Sequence, residues 1–192
     1  MNVKRVFFNR QSNRLQGFDY SSPGSYFVTI VSYQRLPFFG KIISEKIQLN
    51  QIGKIVENYW IDVPLHFNCV SIDAFVIMPN HLHGIININE HQLSKKPSCY
   101  DSMNQIAPFN FSEDHHKRPK GTIPNSLGAI IGAFKSATTK QVHRLGLTDH
   151  RSLWQRNFYD HIIRDDQDYH RIVEYIQLNP SNWANDQEFV LI

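Results

Sequence analysis

The chain has 192 residues and a mass of 22.5 kDa, with 20 Lys plus Arg against 17 Asp plus Glu, a formal charge of +3 and a pI near 8.9. With 41% hydrophobic and 19% charged residues, wholesale disorder is excluded, and the length suits one domain over 1–192, or one domain with an insertion. No apolar run approaches the roughly 18 residues of a membrane span. The N-terminus is polar and basic without an apolar h-region, and two cysteines, Cys69 and Cys99, are too few for a disulfide scaffold. A cytoplasmic protein with no membrane partner is expected.

In chain order, 26–33 follows Pro23-Gly24 and is rich in aromatic and β-branched residues, which predicts a strand. Residues 46–63 read as a helix, with Ile52, Ile55, Val56, Tyr59, Trp60 and Val63 as one buried stripe and Pro64 as its stop. Residues 68–77 suit a central strand. The short turn Met78-Pro79-Asn80 leads into an antiparallel strand over 81–88.

Residues 89–124 lack a period and carry Pro97, Pro108, Pro119, Gly121 and Pro124, so they read as a surface insertion. Helical spacing returns over 126–145 through Leu127, Ile130, Ile131, Phe134, Thr138, Val142 and Leu145. Asn125 or Ser126 can cap the start and Gly146 the end. A strand is expected within 153–163, then a last helix over 167–179 with Tyr169, Ile172, Val173 and Ile176 inward and Pro180 as terminator. The order β-α-β-β-α-β-α predicts an α+β chain with a ferredoxin-like or RRM-like antiparallel sheet. Two helices cover one face, and the other is left for a ligand or the extra C-terminal helix.

The +3 charge is unevenly spread. Lys4, Arg5, Arg10 and Arg14 form a basic arm over 1–18 that contains no acid. Residues 117–171 carry ten bases against five acids, a net of +5. Within that window Lys135, Lys140, Arg144, Arg151 and Arg156, with the aromatics Trp154 and Tyr159, suit a phosphate track beside stacked bases. Solvated charged faces would give the same pattern.

Strand alternation puts Leu82, Gly84, Ile86 and Ile88 on the helix-covered face and His81, His83, Ile85 and Asn87 on the other. Two imidazoles at i and i+2, about 7 Å apart at their Cα atoms, can reach one metal ion and leave coordination positions open. The same pair fits two half-buried polar residues. On the last helix Arg171, Tyr175 and Asn179 recur every four residues and form one ridge. Tyr175 can act as a nucleophile beside a metal-polarised phosphate, and Asn179 offers a carbonyl oxygen to a hard divalent ion. A rim tyrosine and a helix-ending Asn-Pro are the ordinary alternatives.

Taken together, Met78-Pro79-Asn80-His81-Leu82-His83 resembles the HUH motif (His, hydrophobic, His) of single-tyrosine HUH transposases. Residues 154–164 and 175–180 are similar to the two C-terminal blocks of the REP-associated tyrosine transposase branch. The strand at Tyr26 to Tyr33, followed by Arg35 and Phe38, is similar to its N-terminal block. The resemblance covers about residues 20–183 apart from the insertion.

It implies an antiparallel sheet with the His pair on a central strand, a C-terminal catalytic helix, and a substrate of single-stranded or hairpin DNA. It also implies a 5′-phosphotyrosine intermediate with a free 3′-hydroxyl. Carried over by motif, Tyr175 is the nucleophile and His81, His83 and Asn179 hold Mg²⁺ or Mn²⁺. Tyr159 is a rival nucleophile that fits packing or base stacking better, and His161 is a possible ligand or partner of one for which a structural role is the ordinary reading. Monomers and homodimers both fit the family. A non-catalytic RRM-like single-strand binding module and a hydrolytic phosphodiesterase are the competing readings.

Overall fold

The computed structural model describes residues 15, 17–90 and 122–185. The basic arm residues Lys4, Arg5, Arg10 and Arg14 lie outside these, as does most of the 89–124 insertion.

Strand β1 (Gly24–Val31) is followed by a 3-10 turn over Tyr33–Arg35. A hairpin comes next, β2 (Gly40–Ile43) and β3 (Lys46–Leu49), then α1 (Gln51–Ile61) and the short α2 (Val63–His66). Strands β4 (Val70–Ile77) and β5 (His81–Ile88) precede α3 (Leu127–Arg144), β6 (Tyr159–Ile163) and α4 (Asp166–Leu178). A 3-10 turn over Trp183–Asn185 ends the described chain.

The main sheet has the order β4-β5-β1-β6 with every pair antiparallel. This is the ferredoxin-like arrangement expected from the element order.

The helix expected over 46–63 begins only at Gln51. Lys46–Leu49 pairs instead with Gly40–Ile43, reversing through Ser44 and Glu45 at φ 49° and 61°, the left-handed backbone of a tight hairpin. Asn50 enforces the boundary, because its side chain accepts the Gly53 N–H as an N-cap. The first strand stops at Val31 rather than at Tyr33, since Gln34 and Arg35 take positive φ in the following turn. Of the region 153–163, only Tyr159–Ile163 joins the sheet as a strand, and Trp154 makes a single bridge to Ser32.

The sheet is covered on both faces. On one, Tyr26, Val28, Ile30, Leu82, Ile86 and Ile88 pack with Ile52, Val56 and Trp60 of α1 and Leu127, Ile130, Ile131 and Phe134 of α3. Gly84 belongs to this face: a Cβ there would lie 2.6 Å from Trp60 Cζ2, so its hydrogen lets the indole lie on the strand. On the other face, Phe27 and Ile85 pack against Ile172 and Ile176 of α4. Each of these two isoleucines contributes roughly 1.5–3 kcal/mol of burial, and together they dock the helix that carries Tyr175. The first turn of α4 is set by Asp165, which accepts the Asp168 N–H, and by the acids Asp166 and Asp168 at the positive end of the helix.

One extra residue in β4 between Ile72 and Phe75 forms a bulge. It keeps Ile72 and Phe75 on the α1–α3 face and puts Ala74 and Val76 against α4. Cys69 is a buried free thiol, and Cys99 lies outside the described residues. No helix among the described residues is long and apolar enough to cross a membrane.

Candidate functional site

The His pair starts β5 directly after the Met78-Pro79-Asn80 turn. That turn is held by the Met78 N–H donating to the His81 carbonyl at 2.8 Å and the Phe39 N–H donating to Pro79 at 2.9 Å. His81 and His83 lie opposite Val31 and Thr29 of β1, in the middle of the sheet. Their rings are 4.3 Å apart at 62°, and they are 0% and 3% exposed.

Each ring is fixed by a neighbour. The Asn80 Nδ2 donates to the Arg35 carbonyl at 3.1 Å, which turns the amide oxygen toward His81 Nδ1 at 2.9 Å. An amide oxygen only accepts, so His81 carries its proton on Nδ1 and keeps the lone pair on Nε2. His83 Nδ1 lies 2.8 Å from Thr29 Oγ1, and its Nε2 lies 3.2 Å from the Tyr175 hydroxyl. Burial, and secondarily the neighbouring His81, hold the His83 pKa well below its ordinary value, so the ring is neutral at physiological pH. Phe27 stacks on His83 at 5.4 Å, and Trp183 approaches His81 at 5.9 Å.

Tyr175 is 46% exposed and stands edge-on to Phe27 at 6.0 Å. It opens on a cleft of about 880 Å³ whose wall also includes Thr29, His83, Tyr159, Arg171 and Asn179. The Arg171, Tyr175 and Asn179 ridge expected from helical spacing thus faces one cleft. Asn179 is 2% exposed, at the C-terminal end of α4.

No cluster of three or more His, Cys, Asp or Glu able to hold a metal occurs among the described residues. A metal here would therefore complete its shell with neutral oxygens, among which an amide oxygen is one protein donor. Two imidazoles and the Asn179 amide oxygen are donor types that suit a divalent ion with open positions.

Tyr159 is 50% exposed and faces the same cleft, 6.5 Å from Phe27. His161 is held by the last helix: its Nε2 is 2.6 Å from Asp168 Oδ2, and Asp168 Oδ1 accepts from Arg171 at 2.5 Å. These hydrogen bonds, His161 first, hold the Asp168 carboxyl below its usual range.

A second cleft of about 540 Å³ is lined by Lys135, Lys140, Arg151, Trp154 and Arg156, with Ser136, Thr139 and His143. Arg144, exposed at the end of α3, is not in its wall. Two of the residues expected to bind DNA are occupied structurally. Lys135 Nζ donates to the carbonyls of Gln155 and Asn157 at 3.0 and 2.8 Å, and burial lowers its pKa to about 8. Trp154 is 4% exposed, packs on Phe39 and Phe134, and donates from Nε1 to Thr138 Oγ1 at 2.9 Å. Its indole belongs to the core and is not a stacking platform for a base.

Thr29 and Arg171 were not picked out as site residues by sequence. Arg171 had a signal, its place on the Tyr175 ridge. Thr29 had none, because its contact depends on the β1–β5 register.

No family model matches the chain. A 60-residue stretch is 40% identical to part of the serine/threonine-protein kinase PknJ of Mycobacterium tuberculosis, but it spans only 9% of that protein and implies nothing about kinase activity here. Among solved structures, the chain is similar to a REP-associated tyrosine transposase bound to a REP hairpin. The TM-score is 0.55 at 18% identity, over 91% of this chain and 74% of that one. A protein of Haemophilus influenzae (strain ATCC 51907 / DSM 11121 / KW20 / Rd), itself uncharacterized, is 39% identical over 182 residues, 95% of this chain and 94% of that one. The protein therefore belongs to the same family as the Haemophilus influenzae protein, and its fold is that of the REP-associated tyrosine transposase.

Proposed function

We propose that the protein is a metal-dependent single-stranded DNA endonuclease and strand transferase of the single-tyrosine HUH type. The observation that carries this reading is the Tyr175 hydroxyl 3.2 Å from Nε2 of His83, at the wall of an open cleft. The similarity to a transposase solved with a REP hairpin supports hairpin DNA as the partner.

A single strand enters the cleft past Tyr159, whose exposed ring offers a face to a base. The Tyr175 oxygen attacks the scissile phosphorus and gives its proton to solvent, which returns one to the leaving oxygen, as the new O–P bond forms. The P–O3′ bond breaks, the departing oxygen takes up a proton as a free 3′-hydroxyl, and the 5′-phosphate remains esterified to Tyr175. Attack by another 3′-hydroxyl reverses these bond changes and joins strands. A Mg²⁺ or Mn²⁺ ion held by His81, His83 and Asn179 would polarise the phosphate and stabilise charge on the leaving oxygen. Asn80 and Thr29 keep the two rings turned for that task. Lys140, Arg151 and Arg156 in the second cleft would contact the phosphates of a hairpin stem.

The test is incubation with labelled hairpin DNA carrying a single-stranded flank, plus Mn²⁺, followed by denaturing electrophoresis. Wild type and Tyr159→Phe should give a denaturation-resistant adduct, and Tyr175→Phe should not. An adduct that persists in Tyr175→Phe and vanishes in Tyr159→Phe would reassign the nucleophile. DNA binding without any adduct would favour a single-strand binding module.

A further inference from the structure

Resting on the reading of this cleft as a DNA site, we propose that Arg171 is its phosphate-binding group, and that Asp168 and His161 are positioning residues that hold the guanidinium there. Arg171 lies one helical turn before Tyr175 and lines the same wall. Its side chain is 73% exposed, so it is open to a ligand rather than spent on packing.

The guanidinium is nonetheless anchored. One terminal nitrogen donates to Asp168 Oδ1 at 2.5 Å, and the other carboxylate oxygen of Asp168 is taken by His161 Nε2 at 2.6 Å. The relay runs from β6 through the first turn of α4 to the cleft, so it ties the arginine to the sheet that carries His83. A guanidinium has five N–H donors in a planar fork, and one contact to Asp168 leaves the opposite edge able to grip two oxygens of a phosphodiester.

The sequence expectations put the phosphate contacts elsewhere, on the basic arm and the 135–156 cluster, and offered His161 as a possible metal ligand or partner of one. Arg171 instead brings a positive charge to the cleft of the nucleophile, and His161 receives a role two contacts away from it. A free, flexible arginine would lose more rotamer entropy on gripping a phosphate than one already held at one edge.

Single-strand binding by the full chain, measured by fluorescence anisotropy with a labelled oligonucleotide across a salt series, tests this without needing cleavage. Arg171→Ala should weaken binding about tenfold at low salt and reduce the log–log salt slope by about 0.7, one phosphate contact on a single strand. Arg171→Lys should restore the slope but not the full affinity, since a point charge replaces the fork.

His161→Gln and His161→Ala should each weaken binding about twofold to threefold, and that effect should vanish in the Arg171→Ala background, as expected when one residue acts only through another. Thermal melts of the same variants separate this from loss of folding. Unchanged affinity and slope in Arg171→Ala would overturn the proposal, and an undiminished His161 effect in the Arg171→Ala background would overturn the positioning roles. A wild type that binds DNA but forms no adduct would sink the cleavage reading while leaving Arg171 judged by its slope. No DNA binding by wild type would overturn both.

Discussion

The Tyr175 hydroxyl and the His83 Nε2 lie 3.2 Å apart, which puts the proposed nucleophile on the nitrogen that would ligate a metal. One lone pair cannot serve both. An ion taken up at Nε2 would therefore displace this hydrogen bond and free the phenol into the cleft.

Removing the hydroxyl should accordingly spare metal affinity. Tyr175→Phe is expected to bind Mn²⁺ as tightly as wild type or up to about tenfold tighter, the range of a net hydrogen bond of 0.5–1.5 kcal/mol. Titration followed by the Mn²⁺ electron paramagnetic resonance signal measures it. A tenfold loss would mean that Tyr175 supports the ion, contrary to the geometry.

Thr29 offers the opposite prediction. Its hydroxyl is the partner of His83 Nδ1 at 2.8 Å, so Thr29→Val removes the contact that sets the ring's tautomer and orientation. Metal affinity should fall by about 10–100-fold with the fold intact. Retained affinity in a folded variant would show that packing by Phe27 alone orients the imidazole.

Gly84 separates stability from chemistry. A methyl group there would press on Trp60, which is fully buried and cannot yield. Gly84→Ala should cost about 1–3 kcal/mol of overpacking and lower the melting temperature by several degrees. A variant as stable as wild type would contradict the close packing of the indole on β5.

Lys135 gives a pH signature. Burial lowers its pKa from 10.5 to about 8, so the folded state disfavours the charged form. The unfolded chain then holds more protons between about pH 8 and 10.5, and the stability contribution of this group rises with pH across that window. The gain should be on the order of 1–3 kcal/mol. Urea titrations at pH 7.5 and 10 should show that increment in wild type relative to Lys135→Met. Equal pH dependence in the two proteins would refute the burial effect.

The two clefts also predict which bases contact DNA. Arg156→Gln and Arg151→Gln should each lower the salt slope for hairpin binding by about 0.9, whereas Lys135→Met should leave it unchanged because Nζ is bonded to Gln155 and Asn157. A reduced slope in Lys135→Met would mean that the lysine leaves its carbonyl partners to meet the duplex.

Much of the fold was legible because local patterns were strong. The period-2 run His81–Ile88 and the capped helices at Ser126 and Asp165 appear close to where hydrophobic spacing put them. Lys46–Leu49 escaped notice because a four-residue edge strand carries too few alternations to compete with the helical stripe that follows. Trp154 is ambiguous in the sequence for a different reason. A tryptophan among arginines looks like a stacking residue, and only the partners Phe39, Phe134 and Thr138 identify it as core.

By itself, the sequence determined the order of the four main-sheet strands and of the helices α1, α3 and α4, the shared face of His81 and His83, and the ridge of Arg171, Tyr175 and Asn179, since each follows from a helical or strand repeat within one segment. Tertiary structure alone decided that these two sets meet. The approach of Tyr175 to His83 depends on α4 docking through Ile172 and Ile176, and the grip of Thr29 on His83 depends on the β1–β5 register. Both are contacts between segments more than fifty residues apart in the chain, where no local period carries information about distance.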